Sequence, residues 1–422
     1  MKSSSSDTLA LHGGSPVVTA AKPHFSWPII DNRTHMAIAR QLDESISLYN
    51  RSGMIARVED RLRAAIGVEH ALLTNSGTSA LHSMYVACDL GPGDEVICPV
   101  YTFFATATPL FFTGAIPVLV DCGSDGNISP AAVEAAITPR TKAIVATHMW
   151  GIPCDMEPLV ALAERHGLML LEDTSHAYGA TCGGRNVGSF GRAAAQSLQG
   201  QKPLTGGEGG VLLTNDAEVY RRGIAVGHYN VRCKQEIPTG HRLHEFAVTG
   251  MGLKFRIHPL AAAIVDQQMD CYDEILMGRT RTATRMAEVL GKLPGLTAVL
   301  PKPDDTSSWY AFILRVDDEV PGGAGADMIQ KALLAEGALE ADRPGSTRPL
   351  AELPLFRNPG ALFPAYRDMI SPQPDDFPQA TQFHESIIKL PVWNRPEDDP
   401  LVDQYLSAFL KVWKHLESGG SL

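Results

Sequence analysis

The sequence lacks the features of a membrane-spanning or disulfide-bonded protein. No apolar run reaches the roughly 18–20 residues of a membrane span, since Pro109 and Gly114 interrupt the run around Phe111 and Phe112. The seven cysteines form no C-x-x-C pair, and their odd number argues against a disulfide framework or a zinc knuckle. The first residues also lack the apolar core of a secretory signal. These absences predict a cytoplasmic protein with reduced thiols and no membrane partner.

Basic residues are also fewer than acidic residues. The chain has 36 Lys+Arg against 47 Asp+Glu, a net charge of −11. Proteins that bind nucleic acids or anionic membranes usually have a basic excess, so neither partner is expected. The sequence has no Walker motif and no G-x-G-x-x-G, so ATP and dinucleotide sites are not supported. His241 and His244 have helical spacing but no acidic partner, and we expect no metal site.

Short apolar runs alternate with helix-like stretches between residues 71 and 213. Runs that are apolar throughout and separated by helices indicate a mostly parallel sheet that is covered on both faces. Seven runs carry the pattern, at residues 71–73, 96–98, 117–120, 143–146, 168–171, 193–198 and 211–213. The sequence therefore predicts an α/β fold with one seven-stranded, mostly parallel sheet between helices.

The second part of the chain has a different pattern. Residues 259–290 have helical spacing with a break near Cys271, and residues 340–374 are rich in Pro, Gly and Arg. A long irregular loop of that kind is a candidate wall of a binding site. We therefore expect an N-terminal arm at residues 1–30, a large α/β domain at 31–268 and a smaller C-terminal α+β domain at 269–422.

The stretch from Leu168 to Gly210 carries the strongest chemical signal. Asp173 ends an apolar run, and ligands of open α/β sheets bind outside the carboxyl ends of the strands. Lys202 follows later, just before the glycine-rich residues 206–210. Enzymes that use pyridoxal 5′-phosphate (PLP) need a lysine that forms a Schiff base with the cofactor and a carboxylate that keeps its pyridine nitrogen protonated. The pair predicts a PLP site.

Simpler interpretations exist for each of these side chains. Lys202 would ordinarily be a solvated surface charge, and Asp173 could cap the turn that follows it. His176 lies three residues further on, and a lone histidine is more often a structural residue than a ligand contact. Next to Asp173, His176 could instead sit over the cofactor ring.

Three other segments are candidates for contacts with such a cofactor. Ser76, Gly77 and Thr78 lie between a strand and a helix, where small residues let a phosphate approach the helix N-terminus. Ser197 lies near Lys202 and could also donate to a phosphate. Residues 101–104 are expected to open a helix, and an aromatic ring there either stacks on the cofactor or belongs to the core.

The chain resembles the keto-sugar and cyclitol aminotransferase family (DegT/StrS-like) of fold-type I PLP enzymes. The resemblance runs from Gly13 to about Gln268 and is weaker but traceable to Lys411. No single motif would be specific, but the set is. The matching segments are SGTSAL at 76–81, GPGDEVI at 91–97, YTF at 101–103, ED at 172–173, HAYG at 176–179, KPLT at 202–205 and GEGG at 207–210.

The resemblance implies a role for each candidate. Lys202 would be the Schiff-base lysine and general acid/base, Asp173 would pair with the pyridine nitrogen, and His176 would lie beside the ring. Phe103 would stack on the ring, whereas Gly77, Thr78 and Ser197 would hold the phosphate. The resemblance also implies a homodimer whose active sites are built at the subunit interface.

One departure from the family concerns the contact between subunits. The family usually has Asn-x-Arg where this chain has Lys254-Phe255-Arg256, and that asparagine reaches the phosphate of the neighbouring subunit. Lys254 could make the same contact with a full charge. Relatives that dehydrate sugars replace the Schiff-base lysine with histidine, so the presence of Lys202 favours amino transfer.

The function that follows from the resemblance is transamination. The expected donor is glutamate or glutamine, and the expected acceptor is a ketone on a sugar, cyclitol or related molecule of specialised-metabolite or cell-envelope biosynthesis. An elimination or decarboxylation on the same fold is the alternative. A third hypothesis is a non-catalytic PLP-binding regulator, but the sequence has no basic helix-turn-helix segment that would support it. Specificity is expected in the N-terminal arm, in residues 227–244 and around Arg343 and Arg348.

Overall fold

The computed structural model describes residues 8–369 and 372–422, so residues 1–7 of the expected N-terminal arm lie outside the described residues. The strands are β1 (His70–Thr74), β2 (Glu95–Pro99), β3 (Tyr101–Phe103), β4 (Ile116–Val120), β5 (Thr141–Thr147), β6 (Met169–Asp173), β7 (Thr181–Cys182), β8 (Arg185–Asn186), β9 (Ala193–Ser197), β10 (Gly210–Thr214), β11 (Leu296–Ala298), β12 (Phe312–Val316), β13 (Thr347–Pro349) and β14 (Ile387–Leu390). The α-helices are α1 (Asn32–Glu44), α2 (Gly53–Ile66), α3 (Gly77–Ala87), α4 (Thr108–Thr113), α5 (Pro130–Ala136), α6 (Met156–His166), α7 (Ala217–Gly227), α8 (Val231–Glu236), α9 (Pro259–Met269), α10 (Tyr272–Leu290), α11 (Ala326–Ala335), α12 (Pro354–Arg357), α13 (Pro378–Ser386) and α14 (Asp399–Glu417).

A seven-stranded sheet in the order β1-β10-β9-β6-β5-β2-β4 forms the centre of the protein. β10 is antiparallel to both of its neighbours, and the other pairs are parallel. Each of the seven apolar runs in the sequence is one of these strands, so the predicted mostly parallel sheet is confirmed.

Helices cover both faces of this sheet. Leu72 and Leu212 pack with α3 and α7 on one face, whereas Leu73 and Val211 pack with α2 and α9 on the other. Because successive side chains of a strand point to opposite faces, a strand buried on both sides must be apolar throughout. This is the physical reason why the sheet could be predicted from the sequence.

A second layer is built on the three-stranded antiparallel sheet β11-β12-β14. Helices α10, α11 and α14 pack around it in a core of their own. The N-terminal arm belongs to this core, because Leu9 and Val18 are buried in it and the main-chain N–H of Val17 donates to Glu336. The expected domain limits at residues 30/31 and 268/269 stay a prediction.

The expectation that residues 101–104 open a helix is wrong. Residues 101–103 form β3, which pairs antiparallel with β13, and a 3-10 turn at Phe104–Thr106 follows. β13 comes from the loop at 340–374, so the hydrogen-bond partner of β3 is distant in sequence. None of the helices in the described part of the chain is long and apolar enough to span a membrane.

Candidate active site

A cavity of about 310 Å³ lies at the carboxyl ends of the parallel strands. Thr147, Asp173 and Ser197 are the last residues of β5, β6 and β9, and all three line it. The sequence candidates that the structure brings together in its wall are Ser76, Gly77, Thr78, Phe103, Asp173, His176, Ser197 and Lys202. The predicted cofactor contacts thus share one site, apart from Lys254.

The carboxylate of Asp173 is buried and held at both oxygens. The residue is 4% exposed. The hydroxyl of Thr106 donates to Oδ2 over 2.8 Å, and the main-chain N–H of Ser175 donates to Oδ1 over 3.0 Å. Within the described residues, no cation lies within ion-pair distance of Asp173, so a protonated ring nitrogen would supply the missing positive partner.

Lys202 is partly buried in the wall of the same cavity. Its Nζ lies 4.8 Å from the ring centroid of Tyr310, and its main-chain oxygen accepts a hydrogen bond of 2.9 Å from Nε1 of Trp27. Burial lowers the pKa of Lys202 to about 8, against the opposing attraction of Asp173. Since the neutral amine is the nucleophile, a lowered pKa favours reaction with an aldehyde near neutral pH.

His176 forms part of an aromatic stack. Its ring centroid is 4.1 Å from that of Tyr310 and 5.7 Å from that of Trp150. Burial, and then the charges of Lys202 and Lys389, hold the pKa of His176 well below its usual value. Its buried Nδ1 has no hydrogen-bond partner among the described residues. His176 is therefore a neutral imidazole whose Nδ1 has no partner within the described part of the chain.

The N-terminus of α3 forms the opposite side of the cavity. The side chain of Ser76 caps this helix by accepting from the N–H of Ser79 at 3.0 Å. A Cβ on Gly77 would lie 2.6 Å from Cβ of Ser197, so only glycine lets α3 approach β9 this closely. A helix N-terminus flanked by hydroxyls is suited to bind a phosphate.

These groups fit PLP. The α3 N-terminus suits its phosphate, the carboxylate of Asp173 suits its pyridine nitrogen, and the amine of Lys202 suits its aldehyde. The unpartnered Nδ1 of His176 offers a further contact to the ring substituents. Phe103 is half-buried at the cavity wall, where it packs against Phe104.

Some wall residues were missed in the sequence. Their positions depend on contacts between segments that are distant in the chain. The prediction that the loop at 340–374 could form a wall of the site agrees with Ser346 and Thr347, which line the cavity. Trp27 was missed as well, although it contacts the main chain of Lys202. The other wall residues to which sequence reasoning gave no role are Leu81, Thr102, Ala105, Thr106, Thr147, Met149, Gln199, Gln201, Glu208 and Tyr310.

Three candidate cations are not in the cavity wall. Lys254 is exposed and forms an isolated β-bridge with His228. Arg343 pairs with Asp327 at 3.3 Å, and Arg348 pairs with Glu352 at 2.6 Å. Within this chain, the two loop arginines therefore already have carboxylate partners.

The chain matches the model of the DegT/DnrJ/EryC1/StrS aminotransferase family over residues 30–403. The chain belongs to this family. The L-glutamine:scyllo-inosose aminotransferase of Streptomyces griseus is 36% identical over 347 residues, which cover 80% of this chain and 81% of that protein. The spore coat polysaccharide biosynthesis protein SpsC of Bacillus subtilis is 30% identical over 392 residues, covering 92% and 97%.

Solved structures agree with the DegT/DnrJ/EryC1/StrS assignment. The X-ray structure of an aminotransferase from Psychrobacter cryohalolentis has a TM-score of 0.82 at 27% identity, covering 94% of this chain and 100% of that chain. The predicted family, the fold-type I architecture and the aminotransferase class of the enzyme are thereby confirmed.

Proposed function

We propose that this aminotransferase uses PLP to move an amino group from glutamate or glutamine to a ketone on a sugar or cyclitol. The observation that carries the proposal is one cavity shared by Lys202, Asp173 and the N-terminus of α3. The names of the relatives support the substrates, because one is an L-glutamine:scyllo-inosose aminotransferase and another acts in spore coat polysaccharide biosynthesis. We place the reaction in specialised-metabolite or cell-envelope sugar biosynthesis.

Each wall residue has a proposed role toward the cofactor. When bound, PLP supplies an aldehyde that exchanges amino groups and a ring that accepts electrons. Asp173 would pair with the ring nitrogen, while Phe103 and His176 flank the ring. The phosphate would be held by Ser76, Gly77, Thr78 and Ser197.

Lys202 would first hold the cofactor through its amine and then act as a base. As a free amine, Lys202 would be placed to take the proton from Cα of the amino donor and to return it during transfer. A positioned acid/base group of this kind typically contributes about 10²–10⁴-fold to the rate. A pKa of about 8 suits this task, because the amine can both accept and return a proton near neutral pH.

We further propose a homodimer with shared active sites. Among the side chains of the cavity wall, only Lys202 is a cation, whereas Asp173 and Glu208 are carboxylates. A bound phosphate would add negative charge, so a cation from outside this wall would strengthen its binding beyond what the N-terminus of α3 provides. Lys254 is exposed beside the exposed apolar residues 246, 248, 251 and 253, which is typical of a subunit interface and supports a contact with the neighbouring site.

The cellular compartment is also a proposal. All seven cysteines are unpaired, and most are buried among apolar residues. Free thiols of this kind are typical of a reducing compartment, which supports the cytoplasm.

The central test is a single turnover with the amino donor alone. Purified holoenzyme is mixed with L-glutamate or L-glutamine, and the products are measured by mass spectrometry. We expect pyridoxamine phosphate and one equivalent of keto acid, and we expect neither from Lys202→Ala. Release of carbon dioxide or ammonia without pyridoxamine phosphate would favour decarboxylation or elimination. A screen of keto-sugars and keto-cyclitols then identifies the acceptor.

The shared site is tested by mixing two inactive variants. Lys202→Ala subunits and Lys254→Ala subunits are unfolded together and refolded as mixed dimers. If Lys254 serves the neighbouring site, each mixed dimer contains one site with both lysines, and activity returns. Mixtures that stay as inactive as the separate variants would contradict the contact between subunits.

A further inference from the structure

Tyr310 contacts two groups of the proposed active site at once. Its ring centroid is 4.1 Å from that of His176, with 17° between the ring planes. Nζ of Lys202 lies 4.8 Å from the same centroid. Trp150 extends the stack, with its ring centroid 6.1 Å from that of Tyr310. The amine of Lys202 is therefore next to a group of three rings that all contact one another.

The segment that carries Tyr310 is fixed by hydrogen bonds to the backbone at or next to the other two ring residues. Oγ of Ser308 donates to the main-chain oxygen of His176 at 2.6 Å, and Oγ of Ser307 donates to that of Gly151 at 2.9 Å. Trp309 has a φ of 52°, a left-handed conformation that a non-glycine residue adopts only when its surroundings impose it. The position of the Tyr310 ring is thus set by the chain around it.

The contact between Tyr310 and Lys202 involves the ring. The Tyr310 hydroxyl makes no hydrogen bond with other described residues, and no carboxylate of the described chain forms an ion pair with Lys202. The ionisable side chains that share the cavity with Lys202 are Asp173, His176, Glu208 and Tyr310. A lysine ammonium over an aromatic face is attracted by the ring, and the ring excludes water from it.

We propose that Tyr310 is a positioning residue for Lys202, and that its ring holds the free amine toward the cavity while the amine is not joined to the cofactor. This inference rests on the proposed function. The ring would restrict the amine to the side of the cavity next to His176 and would limit its hydration. Tyr310 acts through Lys202 and is not itself required to exchange a proton.

Two substitutions separate the ring from its hydroxyl. Tyr310→Phe keeps the ring, and we expect its kcat to stay within about 3-fold of the wild type. Tyr310→Ala removes the ring and leaves space for water, and we expect kcat to fall about 10–100-fold, because small misplacements of a reacting group have effects of this size. The KM for the amino donor should change little in both variants.

A measurement without cofactor tests the position of the amine directly. Cofactor-free protein is treated briefly with acetic anhydride at a series of pH values, and acetylation of Lys202 is followed by peptide mass spectrometry. The midpoint is expected near the lowered pKa of about 8 in the wild type and in Tyr310→Phe. In Tyr310→Ala it should move toward the ordinary value of 10.5, because burial is the main cause of the lowered pKa and hydration of the ammonium then outweighs its lost attraction to the ring.

The controls make each outcome decisive. Tyr366→Ala removes another buried tyrosine outside the cavity wall, and it should lower stability without moving the midpoint. Tyr310→Val replaces Tyr310→Ala if the alanine variant does not fold.

An unchanged midpoint and kcat in the variant without the ring would overturn the proposal, as would an equal loss in Tyr310→Phe. A failed donor half-reaction in the wild type would instead refute the proposed function, since the labelling does not depend on it.

Discussion

The hydroxyl of Thr106 donates a hydrogen bond to Oδ2 of Asp173 over 2.8 Å, between residues that are 1% and 4% exposed. Oγ1 of Thr102 lies 2.9 Å from Oγ1 of Thr106. Since the proton of Thr106 is used for Asp173, Thr102 is the donor in this second contact. A relay of two hydroxyls therefore orients the carboxylate that faces the cavity.

Thr106→Val should weaken both stability and cofactor binding. It keeps the side-chain shape but removes a donor from a buried carboxylate, which costs about 1–3 kcal/mol. We expect the free energy of unfolding of the cofactor-free protein to fall by that amount in urea titrations, and PLP affinity to fall as well. The control Thr102→Val leaves the direct donor in place, so its effects should be smaller. Equal losses in the two variants would contradict this role of Thr106.

Lys202→Met should stabilise the cofactor-free protein at neutral pH. The pKa of Lys202 is about 8 in the folded protein against an ordinary 10.5, so the unfolded chain binds the proton more tightly. Stability therefore rises with pH between these values, and the full penalty of the buried ammonium is present below about 8. Urea titrations should show an advantage of Lys202→Met at pH 7 that shrinks at higher pH. The control Lys142→Met, at an exposed lysine, should show no such trend.

Gly77→Ala should damage the phosphate end of the site. The new Cβ would lie 2.6 Å from Cβ and 2.9 Å from Cα of Ser197, so α3 must move away from β9. Because Gly77 and Thr78 at the N-terminus of α3 line the cavity, we expect PLP affinity to fall by an order of magnitude, or about 1.4 kcal/mol, in equilibrium titrations. Gly240→Ala, where nothing lies within 4 Å of the added Cβ, is the matched control. Unchanged affinity in Gly77→Ala would show that the helix terminus does not hold the phosphate.

Glu59→Ala should strongly destabilise the fold. Both oxygens of Glu59 accept from Arg232 at 2.8 Å, and its Oε1 also accepts from the N–H of Leu73 in β1. Removing Glu59 leaves the buried guanidinium with Glu236 as its one remaining carboxylate partner among the described residues, and breaking a buried pair of this kind costs about 3–5 kcal/mol. Denaturant titrations should compare it with Glu134→Ala, which breaks the exposed pair with Arg165 and should cost no more than about 1 kcal/mol. Similar losses in both variants would contradict this assignment.

The sequence predicted the sheet and the centre of the site for local reasons. Each strand of the large sheet is a continuous apolar run, because both faces are buried. Asp173 and Lys202 were recognisable because a carboxylate at a strand end and a lysine before a glycine cluster are local patterns. The resemblance to a family supplied the roles of the other candidate residues. Of the predicted cofactor contacts, only Lys254 does not line the cavity of its own chain.

Other features could not be predicted, because they depend on pairs distant in the chain. The strand β3 was mistaken for the start of a helix, since its partner β13 lies more than 200 residues later. The support of Lys202 by Trp27 and Tyr310 joins the N-terminal arm and the second layer to the large sheet. Thr106 gave no signal, because a threonine in a short turn has many ordinary roles.

The sequence alone determined which segments become buried strands, and it predicted which two side chains would carry the chemistry, because burial periodicity and residue type are properties of short segments. The tertiary structure decided the strand order, the antiparallel direction of β10 and the residues that surround the amine of Lys202. Those features depend on which distant segments pack together, and packing is settled by the whole chain at once.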